Sequence, residues 1–221
     1  DPNKEIYWKP DLNLEYRYGP YALMGVLYWR SKNQIESSKY DNNIIDYSTF
    51  LLSKIGSNGG LRNDNSGLNH SLVLASLTLS SLIYPDFRKK SLEKIIELYS
   101  YTIETWPVEK IKDNQSYILL YSYCYLYKLF VKLEDYEKSE SLLLNIQKFI
   151  DYMSSIQAKT GAFDNGDPRF IYHQRMFLPL WGYFKGLGLL KETLSKDLWS
   201  NYVESGKKGI EFACKKRMRK D

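Results

Sequence analysis

Two kinds of helical segment alternate along this chain, and that alternation limits the fold more than any motif. The first, third, fifth and seventh segments are apolar on every side. They are PYALMGVLYWR after Gly19-Pro20, then about Ser66 to Ile83, Tyr117 to Val131 and Arg169 to Leu187. The second, fourth, sixth and eighth carry one apolar stripe and a charged back. They run from about Ile44 to Ile55, from Phe87 to Thr105, from a cap at Asp135, and from Lys196 to Lys216. A helix that is apolar all round must be enclosed by other helices, whereas a striped helix covers an outside. The pattern predicts an all-α fold of four antiparallel hairpins, each with one helix in an inner layer and one in an outer layer. No segment shows the strict alternation of a half-buried strand. Striped helices starting near Asp41, Asp86, Asp135 and Thr193 set a repeat of about 45 to 58 residues. A hairpin array of this kind forms one domain over residues 1–221, with an irregular aromatic arm over residues 1–19.

Two outer-to-inner connections share a pattern. MSSIQAKTGAFDNGDPRFIYHQRMFLPLW, Met153 to Trp181, passes through Gly161 into a loop of acids and amides, where Asp167-Pro168 reads as a helix start. LLSKIGSNGGLRNDNSGLNHSLVLASLTL, Leu51 to Leu79, is a weaker copy. Aligning Gly60 with Gly161 brings the chain's two histidines, His70 and His173, almost into register.

The segment Phe149-Ile150 followed by Gln157-Ala-Lys-Thr-Gly161-Ala-Phe163 resembles the glutamine-to-aromatic repeat of squalene cyclases and protein prenyltransferases. It is similar also to the glycine-aromatic turn of six-hairpin glycosidases, sugar epimerases and polysaccharide lyases. Both resemblances imply an α/α toroid, of which four hairpins would form an arc. The earlier copy, Ser57 to Leu61, lacks the glutamine and the aromatic, and no aspartate-rich motif supports the isoprenoid branch. LFVKLEDYEKSESLLLNIQKF resembles a tetratricopeptide hairpin, but that family repeats every ~34 residues, shorter than the spacing here.

In such toroids the pocket lies where the outer-to-inner loops meet the N-termini of the inner helices. There the chain offers His70 and His173 as a candidate acid–base pair, since imidazole exchanges a proton near neutrality. Asp64 and Asp164 stand in the preceding loops as candidate catalytic acids or bases. Arg62, Asn69, Arg169 and Arg175 are suited to hydroxyl and acidic groups, and Tyr172 and Phe163 to stacking on a sugar ring. Each has a structural alternative: a hydrogen-bonded histidine in a first helical turn, and aspartates that cap helices or form loop turns. The reading is a carbohydrate-active protein of glycosidase, epimerase or lyase type. The alternative is a non-catalytic helical-repeat scaffold that binds a protein.

Composition narrows the rest. Twenty tyrosines and five tryptophans suit grooves, contacts or a tyrosine-rich core. The net charge of +5 comes partly from Lys215 to Lys220, a cationic helix end, so no nucleic-acid partner is expected. There is no phosphate-cradling glycine loop and no close spacing of metal ligands, so no cofactor and no metal are expected. No apolar run reaches ~18 residues, so no membrane partner is expected. Cys124 and Cys214 read as buried free thiols and fit a cytoplasmic location. An open row of hairpins leaves flanks that Trp29, Trp199 and Tyr202 would line, favouring a homodimer.

Overall fold

The computed structural model describes residues 12–32, 38–108, 116–163 and 173–218. Among the described residues the protein is all-α. Its helices are α1 (Leu12–Lys32), α2 (Asp41–Ser53), α3 (Gly67–Ile83), α4 (Pro85–Thr105), α5 (Ser116–Lys132), α6 (Tyr136–Ser155), α7 (His173–Leu190) and α8 (Lys196–Met218).

Local chemistry sets most of the boundaries. The Ser66 side chain accepts the Asn69 N–H at the start of α3, and Asp135 accepts the Lys138 N–H at the start of α6. Pro85 begins α4, where a missing donor costs nothing. At the end of α5 the chain turns left-handed at Glu134 (φ 58°), and the Asp135 N–H reaches back to the Phe130 carbonyl.

One boundary differs from the sequence reading. The arm expected over residues 1–19 is helical from Leu12, and Pro20 lies inside α1 rather than at its start. Proline there withholds an N–H from the carbonyl one turn earlier. Tertiary contacts explain the departure. Gly19 lies directly under the Tyr47 hydroxyl, and the Pro20 carbonyl accepts the Ser76 hydroxyl at 3.1 Å.

The two layers are as expected, but the inner helices are not all enclosed: Tyr28 of α1 is 58% exposed and Trp181 of α7 is 52% exposed. α3 packs on α1 and on α5, and α5 packs on α7, forming one continuous inner row. The striped helices lie outside it: α2 and α4 on α3, α6 on α5 and α7, α8 on α7. Leu119, Leu120 and Tyr123 of α5 are at most 2% exposed, whereas Leu144 on the back of α6 is 62% exposed. Gly186 lets α7 approach both layers closely, since a β-carbon there would press on Ile146 and Ile150 of α6 and on Leu120 of α5. At the far end, Arg30 makes a two-pronged contact with Asp41 (2.8 and 3.1 Å) that also receives the Tyr84 hydroxyl at 2.6 Å. The guanidinium holds the Asp41 carboxyl below the usual carboxylate range. Cys124 is buried as expected; Cys214 is exposed. Tyr202, expected on an open flank, is buried and donates its hydroxyl to Asp151.

Candidate functional site

The two glycine turns are the same structure. After α2, the Gly56 N–H reaches the Gly60 carbonyl at 2.7 Å and the Gly59 N–H returns to the Gly56 carbonyl at 3.1 Å. After α6, the Ala158 N–H reaches the Ala162 carbonyl and the Gly161 N–H returns to the Ala158 carbonyl, each at 2.8 Å. Gly59 and Gly161 both have positive φ, 81° and 95°. The backbone of each lies against a carbonyl of the next outer helix, Glu97 in α4 and Lys208 in α8. The Cβ atoms one turn on, of Tyr101 and Phe212, close the same gap. Gly161 therefore corresponds to Gly59, one residue from the register read in the sequence. The corrected register carries His70 from Ile171 onto Tyr172, one residue short of His173.

Beyond the first turn, three of the expected residues come together. Asp64 accepts the Ser66 N–H at 2.6 Å and the Asn69 amide at 2.7 Å, closing the loop onto the start of α3. His70 is fully buried, with Tyr101 stacked on it at 5.3 Å and Trp106 tilted at 4.9 Å. Its Nε2 accepts the Leu61 N–H at 2.9 Å, which leaves the ring proton on Nδ1, donated to the Ser66 carbonyl at 2.8 Å. Burial pushes its pKa below the ordinary histidine value, although Asp64, 3.8 Å from Nδ1, pulls the other way. Both ring nitrogens are occupied, so His70 has none left to exchange a proton with a ligand. Arg62 is exposed, and its backbone N–H bonds to the Lys54 carbonyl. Asn69 keeps a buried Oδ1 without a hydrogen-bond partner.

The second turn holds Phe163, which is 5% exposed and stacked on Tyr183 at 4.9 Å. That ring belongs to the core. Asp164, Arg169 and Tyr172 lie outside the described residues, as do the side chains of His173 and Arg175 in the first turn of α7.

A different cluster lies on the inner face of the row, turned away from the outer helices. Helical spacing puts Tyr121, Tyr125 and Lys128 on one side of α5. Tyr123, on the opposite side, meets Tyr99 of α4 and Phe149 of α6. The Tyr121 and Tyr125 hydroxyls are 2.6 Å apart, and burial pushes both phenols above their ordinary pKa. From α7, Trp181 packs on Tyr121 at 4.5 Å and is still 52% exposed. One turn on, the Lys185 ammonium lies 3.6 Å from the centre of the Tyr125 ring and 4.6 Å from that of Tyr121. Burial, with Lys128 nearby, lowers the Lys185 pKa to about 8. Tyr28 of α1, 58% exposed, completes the face.

Sequence reasoning passed over this cluster because α7 read as apolar all round. The signal was a matched spacing of four: Trp181 and Lys185 in one inner helix, Tyr121 and Tyr125 in the other. Among the described residues no three acids, histidines or cysteines are grouped to hold a metal ion, and no helix is long and apolar enough to cross a membrane. No protein-family model matches the chain, and neither a curated protein nor a solved structure matches it.

Proposed function

We propose that the inner face of the helical row binds carbohydrate, and that the protein is carbohydrate-active through that face. The carrying observation is Trp181, an indole packed at a tilt on Tyr121 with half its surface open. The C–H face of a sugar ring packs on such a surface, and a rigid ring loses little conformational freedom on contact. The resemblance to sugar epimerases and six-hairpin glycosidases supports the same class of ligand. His70 contributes by fixing the loop that leads into α3, with both of its ring nitrogens engaged in that task.

The test is a Trp181→Ala variant titrated with a panel of oligosaccharides and followed by calorimetry. An exposed stacking ring is worth roughly 1–3 kcal/mol, so affinity should fall about five- to 150-fold with the melting temperature nearly unchanged. Unchanged affinity would move the site elsewhere.

A second reading, the protein-binding scaffold, rests on one observation. A groove of about 420 Å³ between α1 and α2 is walled by Leu23, Val26, Trp29, Tyr40, Ile44 and Tyr47. Trp29 and Val26 are each 38% exposed and Tyr40 is 44% exposed. Apolar surface of this kind marks contact faces, and a homodimer through the α1 flank is the form we propose. A Trp29→Glu variant with the same mass in solution as the parent chain would argue against it.

A further inference from the structure

We propose that the inner face selects acidic saccharides: a sugar ring lies on Trp181 while its carboxylate meets the Lys185 ammonium. This rests on the carbohydrate reading of the same face and adds the charge of the ligand. Trp181 and Lys185 are four residues apart on α7, so they project from one side, one turn from each other. That separation matches a pyranose ring with a substituent on its rim.

The surroundings of Lys185 say which substituent. Lys89, Lys94, Lys138, Lys207 and Lys215 each lie within ion-pair reach of an acid three or four residues away on the same helix. Lys185 is half-buried, and among the described residues no carboxylate lies within ion-pair reach. The groups facing it are the rings of Tyr121 and Tyr125, the Cys124 thiol and the Lys128 ammonium from α5. Tyr28 of α1 adds only a phenol near the two tyrosines. Aromatic faces attract a cation but give it no oxygen to hydrogen-bond. An ammonium carries three N–H donors, and a second cation beside it raises the cost of holding the charge. A ligand carboxylate would supply acceptors to the first ammonium and offset the repulsion from the second. A neutral sugar would leave the charge as it is.

The experiment titrates the full chain with uronate oligosaccharides of galacturonan, alginate and hyaluronan and with neutral galactan and cellulose oligosaccharides of equal length. Calorimetry and tryptophan fluorescence follow binding from pH 6.5 to 9.5. The expected result is at least a tenfold preference for a uronate at pH 6.5, shrinking as the pH rises through about 8. Lys185→Met should remove the preference, Lys185→Arg should keep it and carry it to pH 9.5, and Trp181→Ala should weaken every sugar. Equal affinity for neutral and acidic sugars would overturn the charge selection and leave the carbohydrate reading standing. No binding of any sugar would overturn both. A uronate preference that survives in Lys185→Met would place the carboxylate elsewhere and overturn the assignment.

Discussion

The α2–α3 and α6–α7 turns have one backbone and two different braces. In both, a positive-φ glycine lies against a carbonyl of the following outer helix, and the residue two places on, Leu61 or Phe163, goes into the core. The first turn is held from inside: His70 of α3 reaches back and accepts the Leu61 N–H. The second is held from outside. Gln157 donates to the Gly161 carbonyl at 2.9 Å and to the Ser205 carbonyl of α8 at 2.8 Å, while its own oxygen accepts the Ser205 hydroxyl at 2.8 Å. The repeated element is thus the glycine and its docking. The polar side chains around it are alternative ways of holding the turn, so a histidine near one turn does not imply a histidine with the same task near the other.

The glycines provide the largest test. Gly161→Ala forces a side chain to φ 95° and drives its β-carbon into the Lys208 carbonyl. Strain and overpacking each cost about 1–3 kcal/mol, so a loss of roughly 3 kcal/mol or more is expected in urea denaturation. Gly59→Ala, at φ 81° with the Glu97 carbonyl 2.7 Å from the β-carbon, should cost nearly as much. Gly60→Ala tests the register. Its β-carbon would meet the Tyr101 ring, a side chain that can turn aside, so it should cost less than Gly59→Ala. Equal or reversed losses would restore the one-residue-shifted alignment.

That shift shows where sequence reading reaches its limit. Gly59 and Gly60 are adjacent, and only the approach of α4 decides which of them turns left-handed. The starts of α3 and α6 were legible because Ser66 and Asp135 act on their own helix ends, whereas Pro85, read as the stop of the third helix, in fact opens the fourth. The layering was legible because enclosure requires apolar residues all round. Gly19-Pro20 misled because its local meaning, a helix start, is overridden by packing under Tyr47 and by the contact with Ser76. His70 misled for a related reason. A buried clasp and a proton donor use the same side chain at the same helical position, and only the partners of its two nitrogens separate them. Lys185 was missed because a single lysine in an apolar helix is legible as a site only beside the tyrosines of α5.

His70 comes next in size. His70→Ala strands the Leu61 N–H and opens a hole beside Tyr101 and Trp106, and losses of this kind run to about 2–4 kcal/mol. The pH dependence sharpens the contrast with the second turn. His70 has a folded pKa below its unfolded value, so below about pH 6.5 the unfolded chain binds a proton that the folded chain refuses. The stabilisation is complete above the unfolded pKa and falls with pH below it, by up to about 1.4 kcal/mol per pH unit. It levels off only once the folded pKa is passed. Urea denaturation from pH 7.5 to 5 should show that slope in the parent chain and a shallower one in His70→Gln. A slope that survives in His70→Gln belongs to other groups.

Gln157 is the smallest test and addresses the outer brace alone. Gln157→Ala removes two donated hydrogen bonds and one accepted one across the turn and α8. Gln157 is part-buried, so water can replace some of that bonding, and a loss of about 1–2 kcal/mol is expected. Gln157→Glu separates hydrogen bonding from space-filling, because it keeps the shape and exchanges the donor for an acceptor. A carboxylate would then face the Gly161 and Ser205 carbonyls with no proton to offer either. It should therefore be worse than alanine at pH 7 and recover as the pH falls and the carboxyl protonates. Stability of the first turn, read from hydrogen exchange at the Leu61 amide, should be unmoved by either change. If Gln157→Glu matched the parent chain, the brace would be packing rather than hydrogen bonding, and the contrast between the two turns would reduce to His70.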